Sequence, residues 1–273
     1  MHDPTNRLWG PLRLFFALFV GQLLHGYGAG QAVCYADADA PHVVLMIGED
    51  EYKTEETLPH FVQTQLEPRG LRCTVVLADA ADPNSFPGSD ALKTADLLLL
   101  SVRRRAPKTE QLTLVREFLA AGKPLVGIRT ACHAFHTRGK HDEGHDEWQA
   151  FDPEVLGGNY TGHHGNGPKT SITLAPDAAG HPVLSGVSAA ALLGNGSLYK
   201  VSPLAKSATP LLIGNVEKQP PEPIAWVHSY RGGRVFYTSL GHVDDFKNAE
   251  FNRLLVNAVL WGLNRPISKK AEK

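Results

Sequence analysis

The histidines are the residues best equipped for chemistry in this chain: there are 13, several of them clustered with glycine, arginine and acidic residues. Imidazole exchanges its proton near neutral pH and is the commonest metal ligand. The stretch GIRTACHAFHTRGKHDEGHDEW (127–148) holds Cys132, His133, His136, His141 and His145. His133 and His136 stand three apart, a spacing that turns two imidazoles toward one metal or one substrate from a single helix face. GGNYTGHHGNGP adds His163 and His164 among glycines, where backbone can approach a ligand closely. YTSLGHVDDF sets His242 beside Asp244 and Asp245. A histidine with a carboxylate neighbour is the general acid–base pairing, and several such groups would equally make a metal site. Any single histidine here can instead be a hydrogen-bonded structural residue, so the functional reading rests on the set His133, His163 and His242.

These groups need elements that bring them together. VVLMI (43–47), RCTVVL (72–77), DLLLLSV (96–102) and PLVGIR (124–129) read as buried strands, separated by helical stretches over 55–68 and from Thr109 to Gly122. The alternation predicts an α/β domain with an open, mainly parallel, doubly wound sheet, whose ligands sit at the carboxyl ends of the strands. GPKTSITLA, PLLIGNV, IAWVHSY and GRVFYTSLG follow with no room for helices between them and are expected as antiparallel additions at one edge. A last helix carries Phe251, Leu254, Leu255, Ala258 and Val259 on one face and closes the fold. Three of the first four strands end in polar clusters: Glu49, Asp50 and Glu51; Ser101 with Arg103, Arg104 and Arg105; and Arg129 with Thr130. One arginine facing the crevice would suit a carboxylate or a polarised sugar oxygen, the alternative being a salt-bridged surface loop.

Lys and Arg total 27 against 28 Asp and Glu, a net charge of −1 that argues against a nucleic-acid backbone or an anionic membrane as partner. Arg7 and Arg13 precede the apolar run LFFALFVGQLL and a small-residue stretch, the order of a secretory signal. We expect a signal over residues 1–38, cleaved after Ala32, Ala36 or Ala38, one domain over 39–273, and a secreted or periplasmic product with no stable membrane span. An uncleaved amino-terminal anchor is the alternative. Three cysteines exclude a disulfide framework. An amidotransferase elbow would place its nucleophile two residues after the strand-end Gly127, where Arg129 stands. Cys132 lies further on, expected inside a helix, pointing away from the crevice as an inert thiol.

GEDEYKTEETLP, ADLLLLSVRRR, KPLVGIRTACHAF, FDPEVLGGNYTGHHGN and GGRVFYTSLGH together resemble the ThuA-like (trehalose utilisation) family, from residue 43 to 263. The resemblance implies a flavodoxin-like sheet of the class I glutamine amidotransferase type, without that class's catalytic cysteine. It also implies carbohydrate breakdown, in particular of oxidised (3-keto) sugars and glycosides. Carried over by motif, the candidate residues are Glu49, Asp50, Arg103, Arg129, His133, His163, His164 and His242.

The leading expectation is an exported enzyme that cleaves or rearranges an oxidised glycoside. His242 or His133 acts as base, Glu49 and Asp50 belong to the catalytic set, and Arg103, Arg129, His163, His164, Tyr160 and Trp148 contact the sugar. A carbon acid beside a keto group needs a base and an electrophile. A divalent metal such as zinc, held by His133, His163 and His242, is one form that electrophile can take. Three rivals remain: a non-catalytic carbohydrate-binding module using Tyr52, Trp148, Tyr160 and Trp226 as platforms, a hydrolase working through Cys132, and a structural or partner-binding module. A homo-oligomer is compatible with any of them.

Overall fold

The computed structural model describes residues 33–34, 40–165 and 169–268. Most of the amino-terminal signal and any anchor expected there lie outside the described residues. Ten strands form one sheet in the order β1 (Val33–Cys34), β3 (Arg72–Leu77), β2 (His42–Gly48), β4 (Leu97–Val102), β5 (Leu125–Ile128), β12 (Gly233–Thr238), β11 (Glu222–Tyr230), β10 (Thr209–Asn215), β7 (Thr170–Leu174) and β8 (Leu193–Gly194). Strands β6 (Gly162–His164) and β9 (Leu198–Lys200) make a separate antiparallel ribbon. The helices are α1 (Thr54–Phe61), α2 (Thr109–Ala120) and α3 (Ala249–Gly262).

Alternate residues of β2 explain why its run carries no polar interruption. Val43, Leu45 and Ile47 enter one core with Leu58 and Phe61 of α1 and Leu254 of α3, while Val44 and Met46 enter the opposite core with Leu112 and Val115 of α2. A strand covered on both faces must be apolar at every position. The face of α3 expected from its spacing is buried, and Asn248 caps the helix by accepting from the Glu250 amide at 2.8 Å.

Two expectations need correction. The helix expected over 55–68 is α-helical only to Phe61, then widens into a π turn at Val62–Leu66 and tightens at Glu67–Arg69. Pro59 inside α1 offers no amide for the regular ladder. The run GRVFYTSLG also differs: β12 pairs parallel with β5, Val235 opposite Leu125, and only β11, β10, β7 and β8 beyond it run as antiparallel additions. That parallel pairing brings the end of β12, with His242 just beyond, to the edge where β2, β4 and β5 also end. Among the described residues no helix is long and apolar enough to cross a membrane.

Candidate functional site

Arg129 organises the crevice. It follows β5 in the elbow position with a left-handed backbone, φ 45°, and is buried. Its guanidinium stacks over the rings of Tyr199 and Tyr52, 4.2 and 4.6 Å from their centroids. It donates to the Ser239 carbonyl at 2.6 Å, the Ser197 carbonyl at 3.0 Å and the Tyr52 hydroxyl at 3.2 Å. Each cation–π contact is worth about 0.5–2 kcal/mol, the upper end applying where water is excluded. The elbow that carries a nucleophile in amidotransferases here carries a clamp between the strand ends and the loop before β9. A row of rings extends it: His242 lies edge-on to Tyr52 at 5.8 Å, and beyond Tyr199 comes His133, stacked on Tyr160 at 4.4 Å.

His133 borders a cavity of about 310 Å³, lined also by Arg104, His136, Trp148, Asp152 and Tyr160. Burial first, and then the nearby Arg104, Arg103, Arg129 and Arg138, depress the His133 pKa to about 3, so its ring is neutral at physiological pH. Its Nδ1 lies 3.1 Å from the Cys132 sulfur, which leaves Nε2 for other partners. Cys132 does lie inside a helix, the short 3-10 helix Arg129–His133, but it stands at the cavity wall instead of pointing away from the crevice. Burial, with Asp152 next, pushes its thiol well above the ordinary range. A buried protonated thiol is a poor nucleophile, which argues against the Cys132 hydrolase.

Asp152 was not singled out from sequence. Its Oδ2 accepts from the Tyr160 amide at 2.5 Å, while the buried Oδ1 has no partner among the described residues. Burial raises its pKa to about 7, only partly offset by that amide. Gly158 makes room for it, since a Cβ there would stand 2.5 Å from Oδ1 and 2.9 Å from the Trp226 ring. The signal available in FDPEVLGG was a carboxylate followed by paired glycines, a pattern too common to decide anything alone.

The other candidates are placed differently from expectation. Glu49 is buried and fully occupied: it accepts from the amides of Glu51, Tyr52 and Thr54 at 2.7–2.8 Å and from the Thr54 hydroxyl at 2.7 Å, tying down the turn into α1. Glu49→Ala is expected to cost about 2–4 kcal/mol by stranding those donors. A urea-denaturation difference below 1 kcal/mol would remove this anchoring role. Asp50 lies on the exposed rim, paired with Arg103 at 3.4 Å and Arg105 at 3.5 Å, and Arg103 also binds Glu51 at 2.5 Å. It is Arg104, not Arg103, that borders the cavity. His163 is exposed on the ribbon with Nδ1 toward the Gly165 carbonyl. His164 is buried elsewhere, against Gln219 at 2.9 Å and Glu222 at 3.4 Å. His242 accepts from the Asp244 amide at 3.2 Å and does not line the cavity. Among the described residues no group of three or more His, Cys, Asp or Glu converges as metal ligands. Tyr160 and Trp148 do border the cavity, but Trp226 is fully buried, its indole N–H on the Leu156 carbonyl at 2.7 Å, and cannot be a platform.

Fold and site together define a doubly wound α/β domain whose elbow holds Arg129 and whose crevice opens beside a neutral histidine and a poised carboxyl. A ThuA-like protein from Parabacteroides merdae shares 14% identity over 86% of this chain and 94% of its own, with a TM-score of 0.60. One from Bacteroides uniformis shares 17% over 83% and 94%, at 0.58. A β-galactosidase from Rahnella matches 84% of this chain with 32% of its own length, 14% identical, at 0.56. No curated protein matches the sequence. The profile of the ThuA family, described as trehalose utilisation, matches residues 43–262, and the chain belongs to that family.

Proposed function

We propose that this protein acts on an oxidised (3-keto) glycoside or disaccharide by abstracting the proton beside its keto group. The observation that carries the reading is Asp152, a buried carboxyl with pKa near 7 bordering the same cavity as the neutral His133. A carboxyl and an imidazole whose pKa values are displaced in opposite directions divide acid–base labour without a metal. Ionised Asp152 takes the proton from C2. The C–H electron pair becomes the C2=C3 bond, and the carbonyl pair moves to O3, where a His133 N–H can donate to it. The resulting enediolate either takes the proton back from Asp152 at C3, while C2=O forms and the O2 hydroxyl proton passes to O3, which gives the 2-keto isomer, or reforms C3=O as the C2=C3 pair moves to C1=C2 and breaks the bond from C1 to the glycosidic oxygen, which takes the proton from Asp152 and leaves as the alcohol. In this reading His133 is a donor rather than the base, and His242 holds Tyr52 against Arg129. Tyr160 and Trp148 offer aromatic surface to the sugar. Action outside the cytoplasm, after removal of residues 1–38, belongs to the same proposal, and amino-terminal sequencing of the exported chain tests it.

The experiment is proton NMR of the purified protein with a disaccharide panel and the corresponding 3-keto derivatives in D₂O. Loss of the C2 proton signal and new product resonances from the keto sugars alone are expected. Line broadening of the sugar with neither exchange nor product would make the protein a binding module instead.

A further inference from the structure

We infer that the cavity receives its sugar through an oxyanion carried by that sugar, a carboxylate or a phosphate, and that Arg104 is the residue that binds it. The inference rests on the proposed function for the sugar, and on the arrangement of the three consecutive arginines for the charge. Arg103 and Arg105 are neutralised by Asp50 and Glu51 on the rim. Arg104 between them takes a different course. Its backbone is left-handed, φ 49°, a conformation that an L-residue rarely adopts because Cβ crowds the following carbonyl oxygen. It is held there by its own amide on the His133 carbonyl at 2.9 Å and by the Arg105 amide on the Ala134 carbonyl at 2.7 Å. The strain turns this one side chain to the cavity while its neighbours pair with the rim acids.

At the cavity Arg104 meets no carboxylate within ion-pair distance among the described residues. Its contacts are one long hydrogen bond to the His136 carbonyl at 3.4 Å, and its buried Nε has no partner. Deeper in, Arg129 contacts only carbonyls, hydroxyls and tyrosine rings. The carboxyl in the lining, Asp152, is half protonated near neutrality, and its raised pKa has burial, not the arginines, as its main cause. The His133 pKa is depressed first by burial, and the same field adds to that, with four arginines acting on the ring. The charges of Arg104 and Arg129, without a carboxylate partner among the described residues in a chain of net charge −1, are a local construction rather than general basicity. A guanidinium fork matches the paired oxygens of a carboxylate or phosphate and binds them bidentately.

Titration calorimetry of the full chain at low and physiological salt tests this with glucuronate, glucose 6-phosphate, glucose and acetate, using wild type, Arg104→Gln and Arg104→Lys. We expect at least about tenfold tighter binding of a charged sugar than of glucose, weakened by salt. The preference should vanish in Arg104→Gln and survive in part in Arg104→Lys, and the better of the two anionic sugars identifies the oxyanion. Equal binding of charged and neutral sugars, or a preference untouched by Arg104→Gln, would overturn the inference while leaving turnover of keto sugars to stand. Acetate binding that depends on Arg104, with no sugar bound by any variant, would uphold the anion site and sink the sugar reading instead.

Discussion

Asp152→Asn is expected to lower kcat/KM for a 3-keto glycoside by about 10²–10⁴-fold and to abolish its rise with pH through about 7. The substitution is nearly isosteric. Its amide oxygen can still accept from the Tyr160 amide, so the loop from Gly157 to Tyr160 keeps its anchor. What disappears is a group able to take a proton and return it. In the wild type the ionised fraction of Asp152 grows as pH passes the raised pKa, and activity follows it upward. A variant that retains turnover within a few fold, or the same ascending limb, would show that another group carries the proton. His242→Ala discriminates further: it should loosen the Tyr52–Arg129 stack and weaken binding, yet keep the ascending limb.

The second large effect is on stability against pH, and it follows from two buried groups displaced in opposite directions. His133 has a folded pKa of about 3 against an ordinary 6.5, so between those values the unfolded chain binds a proton that the native protein does not. Its contribution is complete above about 6.5 and is lost as pH falls toward 3, at about 1.4 kcal/mol per pH unit. Asp152 is the reverse. Its folded pKa of about 7 lies above the ordinary 3.8, so its contribution is complete below about 4 and is lost as pH rises through 7, with a slope of the same size. Between about pH 4 and 6.5 the two slopes cancel, and this site adds little pH dependence. Asp152→Asn removes the opposing slope and should make the protein acid-sensitive relative to wild type, by roughly 3 kcal/mol over the interval of about 2.5 units between pH 6.5 and 4. His133→Asn should do the opposite and lose stability as pH rises from 4 to 7. Urea denaturation at pH 7.5, 6, 5 and 4 measures both differences. Curves for the variants that run parallel to wild type would mean that neither group carries the displaced pKa.

The displaced pKa values also account for where sequence reading of the site stopped. His133 was legible as a functional residue from its place after a strand end, but a donor cannot be told from a base by spacing. The difference lies in burial and in arginines from three separate segments: 103–104, 129 and 138. Glu49 illustrates the converse. A carboxylate after the first strand suggests chemistry, yet both of its oxygens are spent on the amides of the next turn, a use that depends only on how residues 51–54 curl back.

The chain alone made the strands and their burial legible, since short unbroken apolar runs bounded by turn residues read as strands covered on both faces, and it placed Arg129 in the elbow, because Gly127 and the strand before it mark the slot. It also carried enough ordered motifs to mark the family. It took folding to settle that β12 runs parallel to β5, that His164 is held by Gln219 and Glu222 away from the cavity lining, that Arg104 rather than Arg103 borders the cavity, and that Asp152 shares that lining with His133. The physical reason is common to all four. Local periodicity records what each element buries, whereas strand partnership, the direction of one arginine in a run of three and the pKa of a buried carboxyl are set by residues far away in the chain. They become defined only when the strand ends, the ribbon and the loop at Gly158 close on one another.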